Sequence, residues 1–324
     1  MSQTILSGVG SYLPDRVVTN AELATFVDTS DEWIRSRSGI AQRHFASDDQ
    51  ATSDLATKAA QRALESAGLT ANDIDLIIVA TVTPDKTFPS TAVFVQEKLG
   101  APPGIAFDLS AACSGFLYGV NVAHNFIASG QVKHALVIGA EKLTCFLDWE
   151  DRGTCVLFGD GAGAIVLSAE QGQNAGDAPR GVLGTYLSSD GKLAEHLYAD
   201  GGPSTTGTVG KVRMNGREVF RHAVDQISGA VVEVAKVGNV SCDEIDWFVP
   251  HQANIRIIDA CAKRLSLDPG KIIITIDRHG NTSSASIPLA LDEGIRDGRI
   301  KRGQLLAFAA LGGGLAWGSA LVRY

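Results

Sequence analysis

With 324 residues, 45% of them hydrophobic and 20% charged, this chain can fill the core of one large domain or two medium ones, which excludes a disordered polymer. Its formal net charge of −8 and the lack of any basic run argue against a nucleic-acid binder. The five cysteines, Cys113, Cys145, Cys155, Cys242 and Cys261, are an odd number without a C-x-x-C pair; they suggest neither a disulfide framework nor a zinc site and fit a reducing, cytoplasmic compartment.

Taken in chain order, residues 1–11 carry no basic residue before a short apolar stretch and so lack the plan of a signal peptide. Residues 53–67 have a helical pattern that leads into an apolar strand at 76–81. Ile105–Leu109 predicts a second buried strand, residues 110–114 a turn, and the segment from Gly115 an apolar helix. Paired strands follow at 135–139 and 162–168, then a polar, glycine-bearing junction at 169–178. A loop at 190–210, rich in Gly, Ser and Thr, is long enough to border a site. A helix at 218–237, a strand at Trp247–Pro250, a helix at 254–265 and two further strands within 304–322 complete the chain. Residues 303–322 have the length and apolarity of a membrane span, but Gly312-Gly313-Gly314 at the centre predicts two buried strands joined by a turn, with no membrane insertion.

These elements repeat. A helix, a short Asp-bearing connection, a strand and a small-residue turn opening another helix occur once around Cys113 and again around Asn281. A repeat of this length is a duplicated domain, which predicts two α/β halves, 1–172 and 173–324, packed about a pseudo-twofold axis. Equivalent turns would then meet at the centre, so that Cys113 and Asn281 converge and His251, just past the strand Trp247–Pro250, lies on the same side.

Cys113 in DLSAACSGF, His251 in VPHQANIR and Asn281 in RHGNTSSAS place a thiol, an imidazole and an amide among small residues, the parts of an acyl-transfer site. Cys113 falls at the first turn of a helix, where unpaired N–H groups and the helix dipole are expected to lower a thiol's pKa. Singly, each has a plain structural reading: a free cysteine is usually buried packing, a strand-end histidine a satisfied polar group, and an asparagine beside Gly280 a turn residue.

Across nearly its whole length the sequence resembles the β-ketoacyl-acyl-carrier-protein synthase III family of condensing enzymes. The resemblance rests on TSDEWI with RSGI at 29–40, the Cys113 turn, HQANIR at 251–256, RHGNTS at 278–283 and the terminal GGG with WGSALVR, in the family's order. It implies a thiolase-like, five-layered αβαβα fold and a two-stage reaction. Cys113 would take an acyl group from a short acyl-CoA; malonyl-acyl-carrier protein would then lose carbon dioxide and attack the acyl-cysteine. His251 and Asn281 would hold the enolate oxygen, with His251 neutral and its Nε2–H inward, and the N–H groups of Cys113 and Gly313 would form a second oxyanion hole.

The resemblance further implies that Trp33, Arg37, Arg152 and Asn254 bind CoA, that Arg221, Arg256, Lys263 and Arg264 meet the acidic carrier protein, and that Phe88 lines the acyl pocket of a neighbouring subunit in a homodimer. It implies no metal and no resident cofactor, acyl-CoA being a substrate. Arg217 and Leu311 depart from the family pattern, which leaves pantetheine contacts and pocket shape open. Two other readings stand beside this one: a related enzyme of secondary metabolism loading an aromatic or longer acyl-CoA, and a non-catalytic protein of the same fold that binds acyl carriers. Whether the primer is acetyl or branched is not legible.

Overall fold

The computed structural model describes residues 3–170 and 179–324. Two sheets run through it in the same order. The first holds Gln3–Tyr12, Gly161–Glu170, His134–Glu141, Leu76–Ala80 and Ile105–Leu109; the second holds Gly181–Ser189, Ala316–Arg323, Leu305–Gly312 and Trp247–Pro250. In both, the first three strands pair antiparallel with one another in turn and the fourth is parallel to the third. The fifth strand of the first sheet, parallel to the fourth, has its counterpart in the second as a single parallel bridge between Phe248 and Ile272. This matching order is the duplication expected from the sequence.

The start of each copy is fixed in the same way. Asp75, one residue before Leu76–Ala80, accepts the N–H groups of Lys133 and His134 at 2.7 and 3.0 Å. Asp246, one residue before Trp247–Pro250, accepts Leu305 N–H at 2.7 Å. Each carboxylate pins the adjacent parallel strand, and each strand beyond it is apolar because both faces are covered.

Five layers result. The helices Thr52–Ala67 and Thr91–Leu99 cover the outer face of the first sheet, and Gly216–Val237 with Ile255–Arg264 cover that of the second. Between the sheets lie Gly115–Ala128 and Ser286–Arg296, and one apolar layer joins these two helices to both inner faces through Phe116, Leu117, Ile287, Leu291, Ile78 and Phe308. Most of the apolar side chains of these two helices are buried in this layer, which explains why their sequences are largely apolar.

The span-like segment at 303–322 is the strand pair Leu305–Gly312 and Ala316–Arg323, in register from Leu305 opposite Arg323 to Gly312 opposite Ala316. Among the described residues no helix is long and apolar enough to cross a membrane. The expected division between 172 and 173 falls in 171–178, outside the described residues.

Candidate active site

Cys113 is buried in the single 3-10 turn Ala112–Ser114, which runs from the end of Ile105–Leu109 into Gly115–Ala128. Ala112 adopts φ +46°, the left-handed region, and this lets the chain reverse within one residue. The turn Ser283–Ala285 is built alike, with Ser283 at φ +50° and the helix Ser286–Arg296 following directly. The topological partner of Cys113 is therefore Ser284, and Asn281 stands three residues earlier. Sequence similarity of the two turns had paired Cys113 with Asn281; backbone conformation, not side-chain type, carries the symmetry.

The thiol also departs from expectation. Burial pushes Cys113 up to about 12, with the neighbouring Ser283 hydroxyl opposing the rise and the nearby Glu141 charge adding to it. Desolvation of the anion outweighs the favourable helix terminus, so the resting residue is a thiol.

His251 is buried at the end of Trp247–Pro250, and burial pulls its imidazole down to about 3, so it is neutral. Its Nδ1 lies 2.6 Å from Ser286 Oγ, which also accepts the Gln252 N–H at 3.2 Å. The Ser286 hydroxyl has no other acceptor among the described residues, so its hydrogen goes to Nδ1 and the ring hydrogen belongs on Nε2. Asn281 is clamped by backbone bonds to Leu157 O and from Gly159 N, at 2.9 and 3.0 Å. Its Oδ1 accepts Ser283 N–H at 2.9 Å, which leaves the Nδ2 hydrogens as donors. Cys113, His251, Asn281, Ser283 and Gly313 line one cavity of about 860 Å³. The strand end at Gly312 presses on the cysteine turn: a Cβ there would lie 2.5 Å from Cys113 N, so only glycine fits.

Sequence reasoning missed the polar cluster under this turn. Glu141, the last residue of His134–Glu141, is fully buried, and burial pushes its carboxyl up to about 7. Oε1 accepts the hydroxyls of Ser283 and Ser284 at 3.1 and 2.9 Å. Oε2 accepts Val82 N–H at 3.1 Å and the hydroxyls of Thr83 and Thr81 at 2.9 and 3.3 Å. An acid closing an otherwise apolar strand was the available signal, as was the run of serines after Asn281.

At the mouth, Trp33 carries two guanidinium groups on its ring, Arg37 at 4.5 Å and Arg152 at 5.1 Å. Trp33 and Arg37 line the cavity, whereas Arg152 borders it through Trp33 and donates to Asp28 O at 2.8 Å. Asn254 lines it too, but its side chain caps Ile255–Arg264 by accepting Arg256 N–H and donates to Arg37 O at 2.9 Å. The strand Leu197–Ala199 and Val209 of the expected long loop form part of the wall. Leu311 and Arg217, the two departures from the family pattern, both face the cavity. Arg37, Arg217 and Arg256 have no carboxylate partner among the described residues, which makes this rim electropositive on an acidic protein.

The four basic residues expected to meet a carrier protein are not equivalent. Arg264 is paired with Asp225 and Arg221 with Glu218, while Arg256 lies over the Phe220 ring at 5.6 Å and Lys263 has no ion pair among the described residues. Phe88 is 82% exposed and absent from the cavity of its own chain. One group of metal-ligand atoms, from His196, Glu218 and His222, lies within 4.8 Å of one another among the described residues. Arg221 already occupies it, donating to Glu218 and meeting His222 Nε2 at 3.2 Å.

Known proteins match this chain from end to end. Residues 107–191 fit the model of 3-oxoacyl-[acyl-carrier-protein] synthase III, and residues 233–324 fit that of its C-terminal part. The β-ketoacyl-[acyl-carrier-protein] synthase III of Caulobacter vibrioides is 59% identical over 321 residues, 99% of each chain. The crystal structure of 3-oxoacyl-[acyl-carrier-protein] synthase III from Aquifex aeolicus superposes with a TM-score of 0.93 at 47% identity, covering 99% of this chain and 100% of that one. The priming β-ketosynthase of the R1128 polyketide pathway is similar at 36% identity and a TM-score of 0.91, over 99% and 96% of the two chains. Together with the five-layered fold, these relationships establish that the chain belongs to the β-ketoacyl-[acyl-carrier-protein] synthase III family of thiolase-fold condensing acyltransferases.

Proposed function

We propose that the chain starts fatty-acid synthesis by decarboxylative condensation of a short acyl-CoA with malonyl-acyl-carrier protein, giving a 3-oxoacyl-carrier protein, CoA and carbon dioxide. Cys113 is the nucleophile, and His251 and Asn281 are the donors to the enolate. The observation that carries the reading is the convergence of Cys113 with two buried, oriented N–H donors on one cavity.

Cys113 Sγ attacks the acyl thioester, the oxyanion rests on the N–H groups of Cys113 and Gly313, and CoA leaves. Malonyl thioester then enters; as its carboxylate departs, charge builds on the thioester oxygen. His251 Nε2–H and Asn281 Nδ2–H, both on buried side chains, meet that charge, and one such donor contributes about 3 kcal/mol. The carbanion attacks the acyl carbonyl, the C–S bond breaks with its electron pair going to Sγ, and the Cys113 thiolate takes up a proton from solvent to return to the thiol. No cofactor or metal enters these steps. Trp33 with Arg37 and Arg152 offers an indole and two guanidinium planes for adenine and phosphates, and Arg256 and Lys263, which have no carboxylate partner among the described residues, offer the carrier protein its basic contacts.

The working form in this reading is a cytoplasmic homodimer. Ile105–Leu109 is a free edge of the first sheet, with Ile105 exposed and Phe107 and Leu109 half-buried, and the nearby Phe88 ring is bare. An apolar edge of this kind calls for a partner strand, and a paired edge would carry Phe88 toward the other subunit's pocket.

The test is to mix the protein with equimolar acetyl-, isobutyryl-, octanoyl- and anthraniloyl-CoA, measure intact mass with peptide mapping, then add malonyl-acyl-carrier protein. A short acyl group on Cys113 that the carrier discharges supports the reading and names the primer. An aromatic or long adduct moves the enzyme toward secondary metabolism, a direction to which the similar polyketide-priming enzyme lends weight. No adduct on Cys113 overturns the nucleophile.

A further inference from the structure

Acylation requires Cys113 to lose a proton that burial makes it hold firmly. His251 is poorly placed to take it, because Ser286 already fills Nδ1 and Nε2 carries the ring hydrogen. The group beneath the cysteine is different. Glu141 is a fully buried carboxylate with no cation paired to it among the described residues, and Ser283 reaches it from the cavity that holds the thiol: the Ser283 side chain lines that cavity together with Cys113 and donates to Glu141 Oε1 at 3.1 Å.

Resting on the reading of Cys113 as nucleophile, we propose that Glu141 receives, through Ser283, the proton that Cys113 gives up when it takes the acyl group. As the Sγ–acyl bond forms, the thiol hydrogen passes to Ser283 Oγ and the Ser283 hydrogen to Glu141 Oε1. The thioester bond to CoA breaks, and the CoA sulfur leaves with the electron pair. The proton returns through the same hydroxyl to that sulfur, so CoA departs as a thiol and Glu141 is again a carboxylate. Glu141 never touches the substrate; it acts through Ser283.

The neighbouring serine shows that the cluster accommodates both states. Ser284 Oγ lies 2.9 Å from Ala80 O and 2.9 Å from Glu141 Oε1, yet it has one hydrogen. When Glu141 is ionised that hydrogen satisfies the carboxylate; when Glu141 is protonated the hydroxyl turns to Ala80 O and accepts the acid hydrogen. The other faces of Glu141 are occupied by Thr81, Val82 and Thr83. Cys113 and Cys145 are the titratable groups that feel its charge, and the adjacent Lys142 directs its ammonium to the carbonyls of Ser47 and Gln50. Below about pH 7 the carboxyl is protonated and cannot receive; above it, it can.

The test is rapid-quench acylation of the full-length protein by the short acyl-CoA that loads it, read by intact mass between pH 5.5 and 9, for the native chain, Glu141→Gln, Glu141→Asp and Ser283→Ala. The native rate is expected to rise with a midpoint near pH 7. Glu141→Gln and Ser283→Ala are expected to slow acylation about 100-fold and to lose that midpoint. Glu141→Asp is expected to recover part of the rate with a midpoint. A folded Glu141→Gln protein that acylates at the native rate with the native midpoint overturns the proposal; should that variant not fold, Ser283→Ala decides in the same way. A native protein that no acyl-CoA loads at any pH removes the nucleophile assignment and this proposal with it, whereas a loaded native protein without a midpoint removes this proposal alone.

Discussion

Ser286 Oγ stands 2.6 Å from His251 Nδ1, and with no other acceptor among the described residues it gives its own hydrogen to the imidazole. One serine therefore decides which nitrogen of His251 faces the cavity with a hydrogen. Ser286→Ala frees the ring to adopt the opposite tautomer, which turns a lone pair toward a developing anion. Carbon dioxide release from malonyl-carrier protein is expected to fall about 100-fold, the cost of one lost donor, while acyl transfer to Cys113, followed by mass, stays near the native rate.

Gly312 lies where a side chain would have to enter the cysteine turn. In Gly312→Ala the new Cβ meets Cys113 N at 2.5 Å and Cys113 Cα at 3.2 Å, both of them backbone atoms that cannot swing aside. The turn must move, and a displacement of this order costs about 100-fold in rate. Measured activity is expected to drop by that factor while the melting temperature changes by only a few degrees.

The unequal pairing of the basic residues predicts unequal effects on the carrier protein. Arg256→Glu is expected to raise the KM for malonyl-carrier protein about tenfold with acyl-CoA transfer retained. Arg264→Glu is expected to do less, since Asp225 already neutralises that guanidinium. A native KM for malonyl-carrier protein in Arg256→Glu would show that the rim is not the docking surface.

Two buried histidines set the acid limit of the fold. Burial holds His251 and His279 down to about 3, against an ordinary 6.5 in the unfolded chain. Between these values the unfolded chain binds more protons, so stability is present above about pH 6.5 and is lost as pH falls toward 3. His279 Nδ1 has no partner among the described residues, and Glu293 stands 3.5 Å from Nε2, too weak a contact to reverse the effect of burial. The melting temperature is expected to decline from pH 6.5 to 4, and His279→Gln to flatten that slope; an unchanged slope would place the acid sensitivity elsewhere.

Much of the architecture could be read from the sequence because central parallel strands are uninterrupted apolar runs. Leu76–Ala80 and Trp247–Pro250 each follow an acidic anchor, and both stand where the pattern put them. The register of the two copies was not legible. Cys113 and Ser284 occupy one backbone position, but that equivalence lies in the positive φ of Ala112 and Ser283, which side-chain chemistry does not reveal. The state of the thiol was misread for a related reason: a helix terminus is visible in sequence, whereas burial is a property of everything packed around it. Glu141 and Ser283 are 142 positions apart, and only the closed fold puts them in contact.

The apolar layer that holds Gly115–Ala128 and Ser286–Arg296 between the sheets belongs to neither half. A half produced alone would present that layer to water and would hold at most part of the reacting set: Cys113 without His251 and Asn281, or the reverse. The duplication has thus become irreversible. What began as two similar units now survives only as a whole, and a cut between the halves would be tolerated for as long as the shared layer keeps the pieces together.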